Sequence, residues 1–72
     1  MNELELIKLF SKNLKRIMKE ENIKQEDLAD EVGISQQMIS RYVTGACLPS
    51  LYTTVKLADA LFCTIDDFLE EK

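Results

Sequence analysis

The twenty residues from Gln25 to Thr44 constrain this chain more than any other stretch. Leu28, Ala29 and Val32 recur at helical spacing, and so do Met38, Ile39 and Tyr42. Between the two sets stands Gly33-Ile34-Ser35. Gly33 supplies the positive φ that a residue just past a helix often needs. Ser35 can cap a following helix by accepting a backbone N–H bond. The spacing predicts one short helix over Gln25–Val32, a sharp turn plugged by Ile34, and another short helix over Gln36–Thr44. Ala29 falls where the two helices would cross, and its small side chain permits close approach.

The flanking residues read as further helices. Ile7, Phe10, Leu14 and Ile17, with Met18 beside them, predict an amphipathic helix from Glu3 to Glu21. Asn22 suits a left-handed position at its end. Pro49 restricts Leu48 to extended backbone, and Ser50 caps a fourth helix over Leu51–Leu61. Leu51, Val55, Ala58 and Leu61 are its expected inward residues. Thr64-Ile65-Asp66-Asp67 has the form of a capping box with Asp in place of Glu. It starts a fifth short helix carrying Ile65, Phe68 and Leu69. Alternating β patterns are absent. The expected architecture is all-α, a compact five-helix bundle over residues 1–72 as a single domain, because 72 residues leave no room for a second.

A chain this short buries only roughly 60% of its unfolded surface, so its stability should be thin. It has two Cys and no His, which argues against a disulfide scaffold or a zinc module. Cys47 and Cys63 stand in apolar contexts and read as small packing residues. No Gly-rich phosphate loop, Ser-x-x-Lys pattern or carboxylate pair on an apolar wall suggests an enzyme, and no cofactor or metal is implied. Asp66-Asp67 lies in a helix's first turn, where the helix dipole accounts for it. Met1-Asn2-Glu3 gives no basic start of a signal peptide, and no apolar run approaches the roughly 18 residues of a membrane span. The expected location is the reducing cytoplasm, away from any membrane.

The net charge is -4, the wrong sign for holding nucleic acid by bulk charge. Its distribution is uneven. Lys8, Lys12, Lys15, Arg16, Lys19 and Lys24 sit in the first third, with Lys15, Lys19 and Lys24 best suited to long-range attraction. Asp59, Asp66, Asp67, Glu70 and Glu71 gather at the other end. On the third helix Gln36, Gln37, Ser40, Arg41 and Thr44 follow helical spacing and form one outward stripe. Glu and Lys would favour helix more on a merely solvated face. Gln and Arg are suited to bidentate hydrogen bonds at base edges, and hydroxyls suit phosphates or bases.

At these residues the chain resembles the phage repressor/Cro-type helix-turn-helix proteins, also called xenobiotic-response-element-type regulators. The likeness runs from about Phe10 to Leu69. It rests on Gln25-Glu26-Asp27-Leu28-Ala29, Gly33-Ile34-Ser35, Ile39-Ser40-Arg41-Tyr42, Gly45, Pro49-Ser50 and Leu57-Ala58-Asp59-Ala60-Leu61. The resemblance implies a lambda-repressor-like five-helix fold with its helix-turn-helix core at 25–44. It implies a double-stranded DNA operator whose major groove receives the third helix, and a weak homodimer strengthened on DNA. It assigns base reading to Gln36, Gln37 and Arg41, and backbone or flanking contacts to Lys24, Gln25, Ser35, Ser40 and Thr44. Gln25 would also brace the first Gln of the reading helix, and amides around Gln25 and Gly45 would lie near phosphates.

The chain departs from the family pattern in several places. Met18 and Val43 stand where members often pair Arg with Glu, which implies an apolar contact instead. Asn22 replaces a usual Gly. Lys24 replaces a capping Ser or Thr and so offers a cation to a phosphate. Ala46-Cys47-Leu48 replaces a loop that is often basic. Phe62 stands where Gly or Asn is common, and implies either altered backbone or an interface role. A competing expectation is a helical adaptor or antitoxin-like regulator that acts mainly through a protein partner. The acidic balance favours that alternative, and the polar stripe disfavours it.

Overall fold

The computed structural model describes residues 1–71. Helix α1 spans Glu3–Glu20, and Asn2 caps it by accepting the Glu5 N–H at 2.8 Å. Phe10, Leu14, Ile17 and Met18 are buried along one side. The helix ends where Asn22 takes a φ of 54°, the left-handed turn expected there. Helices α2 (Gln25–Val32) and α3 (Gln36–Thr44) run over the residues the pattern predicted. Gly33 adopts φ 82° between them, and the Gly33 and Ile34 N–H groups both donate to the Ala29 carbonyl. Ser35 accepts the Met38 N–H at 3.2 Å and so starts α3.

Helix α4 spans Leu51–Ala60, capped by Ser50 accepting the Thr53 N–H at 3.1 Å. Its inward residues are Leu57, Ala58 and Leu61, whereas Leu51 and Val55, expected inside, are exposed. Apolar side chains occupy more than one side of α4, so spacing alone could not choose which side turns inward. The second correction concerns the fifth helix. The chain forms four α-helices followed by a 3-10 turn over Ile65–Leu69. Thr64 and Asp67 make the expected capping box, with Asp67 accepting the Thr64 N–H at 2.9 Å. Glu70 then turns to extended backbone. The carbonyls of Phe68 and Glu70 accept from Asn13 on α1 instead of closing a further helical turn. No strand occurs among the described residues.

Every element contributes to the core. Leu14, Leu28, Ile39, Leu57 and Phe68 are fully buried. The Phe10 and Phe68 rings meet at 5.1 Å, tilted by 55°, which joins the terminal turn to α1. Met18 is buried and Val43, partly buried, packs against the same core, so both positions that could have held an ion pair contribute apolar packing. The packing of α2 on α3 and of α1 against α3 leaves one side of α3 free.

Candidate nucleic-acid interface

Ile39 and Tyr42 anchor α3 in the core, with Met38 and Val43 partly buried beside them. The opposite side carries Gln36, Gln37, Arg41 and Thr44, all exposed. Ser40 is half-buried at the edge of that stripe. Among the described residues, the Gln36, Gln37 and Arg41 side chains make no hydrogen bond or ion pair. Their donors and acceptors are therefore available to a ligand. A rigid apolar base holding three unengaged polar tips is the arrangement that direct recognition of base edges requires.

The flanking residues fall into two groups. Lys24 is exposed at the start of α2 and gives no side-chain cap, so the first amides of that helix lack a side-chain partner. Gln25 is half-buried beside it and makes no hydrogen bond to Gln36 among the described residues, so the expected brace is not formed. At the far end of α3 the helix's own closure uses the polar groups. The Gly45 N–H donates to Tyr42 and the Ala46 N–H to Arg41, and the Thr44 hydroxyl donates to the Arg41 carbonyl at 3.3 Å. The Gly45 and Ala46 amides are thus engaged in closing α3. Ser35 likewise uses an oxygen lone pair on its helix.

The electrostatics explain part of the acidic balance. Arg16, counted in the basic run, turns toward the chain's end. It pairs with Glu20 at 3.2 Å and with Glu70 at 3.1 Å, and donates to the Asn13 Oδ1 at 3.3 Å. Lys15, Lys19 and Lys24 remain exposed. Glu26, Asp27, Asp30 and Glu31 project from α2, which accounts for the negative middle of the chain. Burial pushes the Tyr42 phenol above its ordinary range, reinforced by Cys47 and countered by Arg41. Burial likewise raises the Cys63 thiol, with Asp67 and Glu21 adding to it and Arg16 opposing. Both thiols pack against the core, as expected of small apolar residues.

Asn13 escaped sequence reasoning. Its signal was a poor helix former at a buried register, between Phe10 and Ile17.

Comparison with known proteins adds the following. A helix-turn-helix family model matches residues 14–68. The cryptic phage CTXphi transcriptional repressor RstR of Vibrio cholerae is 44% identical over 46 residues, covering 64% of this chain and 41% of that protein. The HTH-type transcriptional regulator YqaE of Bacillus subtilis, itself uncharacterised, is 29% identical over 62 residues, covering 86% of this chain and 53% of that protein. The chain thus spans about half the length of the curated relatives it matches.

Proposed function

The chain belongs to the helix-turn-helix family of DNA-binding transcription regulators, and from that membership we propose that it is a sequence-specific repressor, one domain that places α3 in the major groove of an operator. Gln36, Gln37 and Arg41 read base edges. Lys24, Gln25 and the first amides of α2 hold a phosphate and fix the register, with Ser35, Ser40 and Thr44 flanking. The observation that carries this reading is the trio of unengaged polar tips on α3 above a wholly apolar base.

A partly palindromic site places two reading helices about 34 Å apart. The longest extent of the molecule is 31 Å, so that spacing calls for two copies side by side. The protein acts in the cytoplasm, where such DNA is found. No helix among the described residues is long and apolar enough to cross a membrane. Selection of bound DNA from a random pool tests the reading. A recurrent half-site motif, lost when Gln36 and Gln37 are both replaced by alanine, is the expected result. A pool that stays random after repeated rounds would overturn it and favour an adaptor.

A further inference from the structure

Helix α3 ends against α1. A Cβ on Gly45 would meet the Ile7 Cγ2 and the Ser11 Oγ, each at 3.5 Å. Ile7 and Ser11, one turn apart, mark the line of α1 that meets the end of α3. Lys8 and Lys15 border that line on its solvent side, one turn before and one turn after Ser11, and both are exposed. Ser11 between them is small and half-buried, and its hydroxyl is turned back to donate to the Lys8 carbonyl at 3.2 Å. Two cations therefore flank a low saddle. Among the described residues, neither ammonium group makes a hydrogen bond or ion pair. Arg16 on the same helix differs, because Glu20 and Glu70 hold it.

Gly45 directly follows Thr44, the last member of the outward stripe on α3. The row on α1 thus borders the end of the proposed reading surface. It also supplies what the next loop lacks. Ala46, Cys47 and Leu48 bring no charge, and the Gly45 and Ala46 amides close α3. A major groove, about 12 Å wide, is walled by two phosphate strands. In the repressor reading Lys24 and Gln25 of α2 hold one of them. We infer that Lys8 and Lys15 form a second backbone site, gripping the phosphodiester strand that passes the Gly45 end of α3. About 10 Å of helix separates the two lysines, whereas phosphates follow one another about every 3.4 Å along the duplex axis. Each ammonium group therefore meets a phosphate of its own. With a strand held at either side, α3 cannot slide or roll in the groove, and its base contacts keep one register. The inference deepens the repressor reading, on which the presence of DNA rests.

Fluorescence anisotropy of the full chain on the site selected from the random pool, over a series of salt concentrations, tests this site. Lys8→Ala should weaken binding about tenfold and reduce the salt slope by about 1, and Lys15→Ala should do the same. Lys8→Arg should restore both quantities. Lys56, on α4 with its Nζ 5.3 Å from the Tyr52 ring centre, is a cation of equal charge away from this row. Lys56→Ala should change affinity less than about twofold. All three lysines are exposed, so each variant should melt with wild type. Neutral methylphosphonate linkages, placed singly along the same DNA, locate the strand. Wild type should lose affinity when a contacted phosphate is neutralised, and Lys8→Ala should be indifferent at one of those positions. Equal losses for the Lys8, Lys15 and Lys56 variants overturn the inference and leave only diffuse attraction. So does a Lys8→Ala phosphate profile identical to that of wild type. The two ideas fail differently. A selected site bound equally well by Lys8→Ala and wild type removes the α1 site alone. A pool that stays random removes the repressor reading, and the α1 site with it.

Discussion

Replacing Asn13 by alanine should unfasten the end of the chain from α1. Asn13 is 1% exposed, and its Nδ2 donates to the Phe68 carbonyl at 2.8 Å and the Glu70 carbonyl at 2.9 Å. Alanine removes both donors and leaves the two acceptors facing a methyl group. Each lost buried bond costs about 1–3 kcal/mol. Against this, alanine favours helix over asparagine by up to about 0.7 kcal/mol. The expected net loss is about 2–4 kcal/mol. In a domain of this size each kcal/mol moves Tm by about 4–8 °C, so the midpoint should fall by about 10–25 °C. Urea and thermal unfolding followed by far-ultraviolet circular dichroism measure it. Lys19→Ala, on the exposed side of the same helix, is the control and should stay within about 0.5 kcal/mol of wild type. If Asn13→Ala unfolds no more readily than Lys19→Ala, the terminal turn contributes nothing through this clamp and the reasoning is refuted.

Further outcomes follow from the same structure. A Cβ at Gly33 meets nothing within 4 Å, so Gly33→Ala should cost only the left-handed backbone penalty, about 1–2 kcal/mol by denaturant titration. Gly45→Ala should cost much the same, because Ile7 and Ser11 at 3.5 Å are ordinary neighbours; a far larger loss would show a tighter fit than described. Arg41→Ala should weaken binding to the selected site by about 1–3 kcal/mol and relax one base position, measured by fluorescence anisotropy. Equal loss on scrambled DNA would restrict Arg41 to phosphate. The logarithm of affinity should fall gently with that of salt, with a slope matching a few phosphates per copy, and a steep slope would contradict the scarcity of free cations. Cys63 has a folded pKa above its unfolded value, so it stays protonated where a free thiol begins to ionise, near pH 8–9. Native alkylation should lag behind that of the unfolded chain, and this contribution to stability should fade as pH rises past about 9; equal alkylation rates would contradict the burial.

The legible parts of the fold were those fixed by local chemistry. Gly33, Ser35 and Ser50 each do one job within a few residues of backbone, so α2 and α3 were predicted to the residue. Asn22 took the left-handed turn for the same reason. The side of α4 that turns inward was not legible, because Leu51 and Val55 are as apolar as Leu57 and Leu61. Only the positions of α2 and the terminal turn decide between them. The terminal turn misled in the same way. Its capping box was visible, but the extent of helix after it depended on Asn13, more than fifty residues earlier in the chain. At the interface, Gln36, Gln37 and Arg41 stand outward as the periodicity required. The capture of Arg16 by Glu70 joins distant residues, and no periodicity within α1 could reveal it.

That capture bears on how such a protein would search a genome. Sequence-blind attraction to DNA scales with the cations left loose, and here Arg16 is withdrawn from that pool. A repressor with so little indiscriminate grip spends less time parked on irrelevant chromosome. Under the repressor reading proposed above, more of its copies would circulate, and occupancy of the operator would track their number closely.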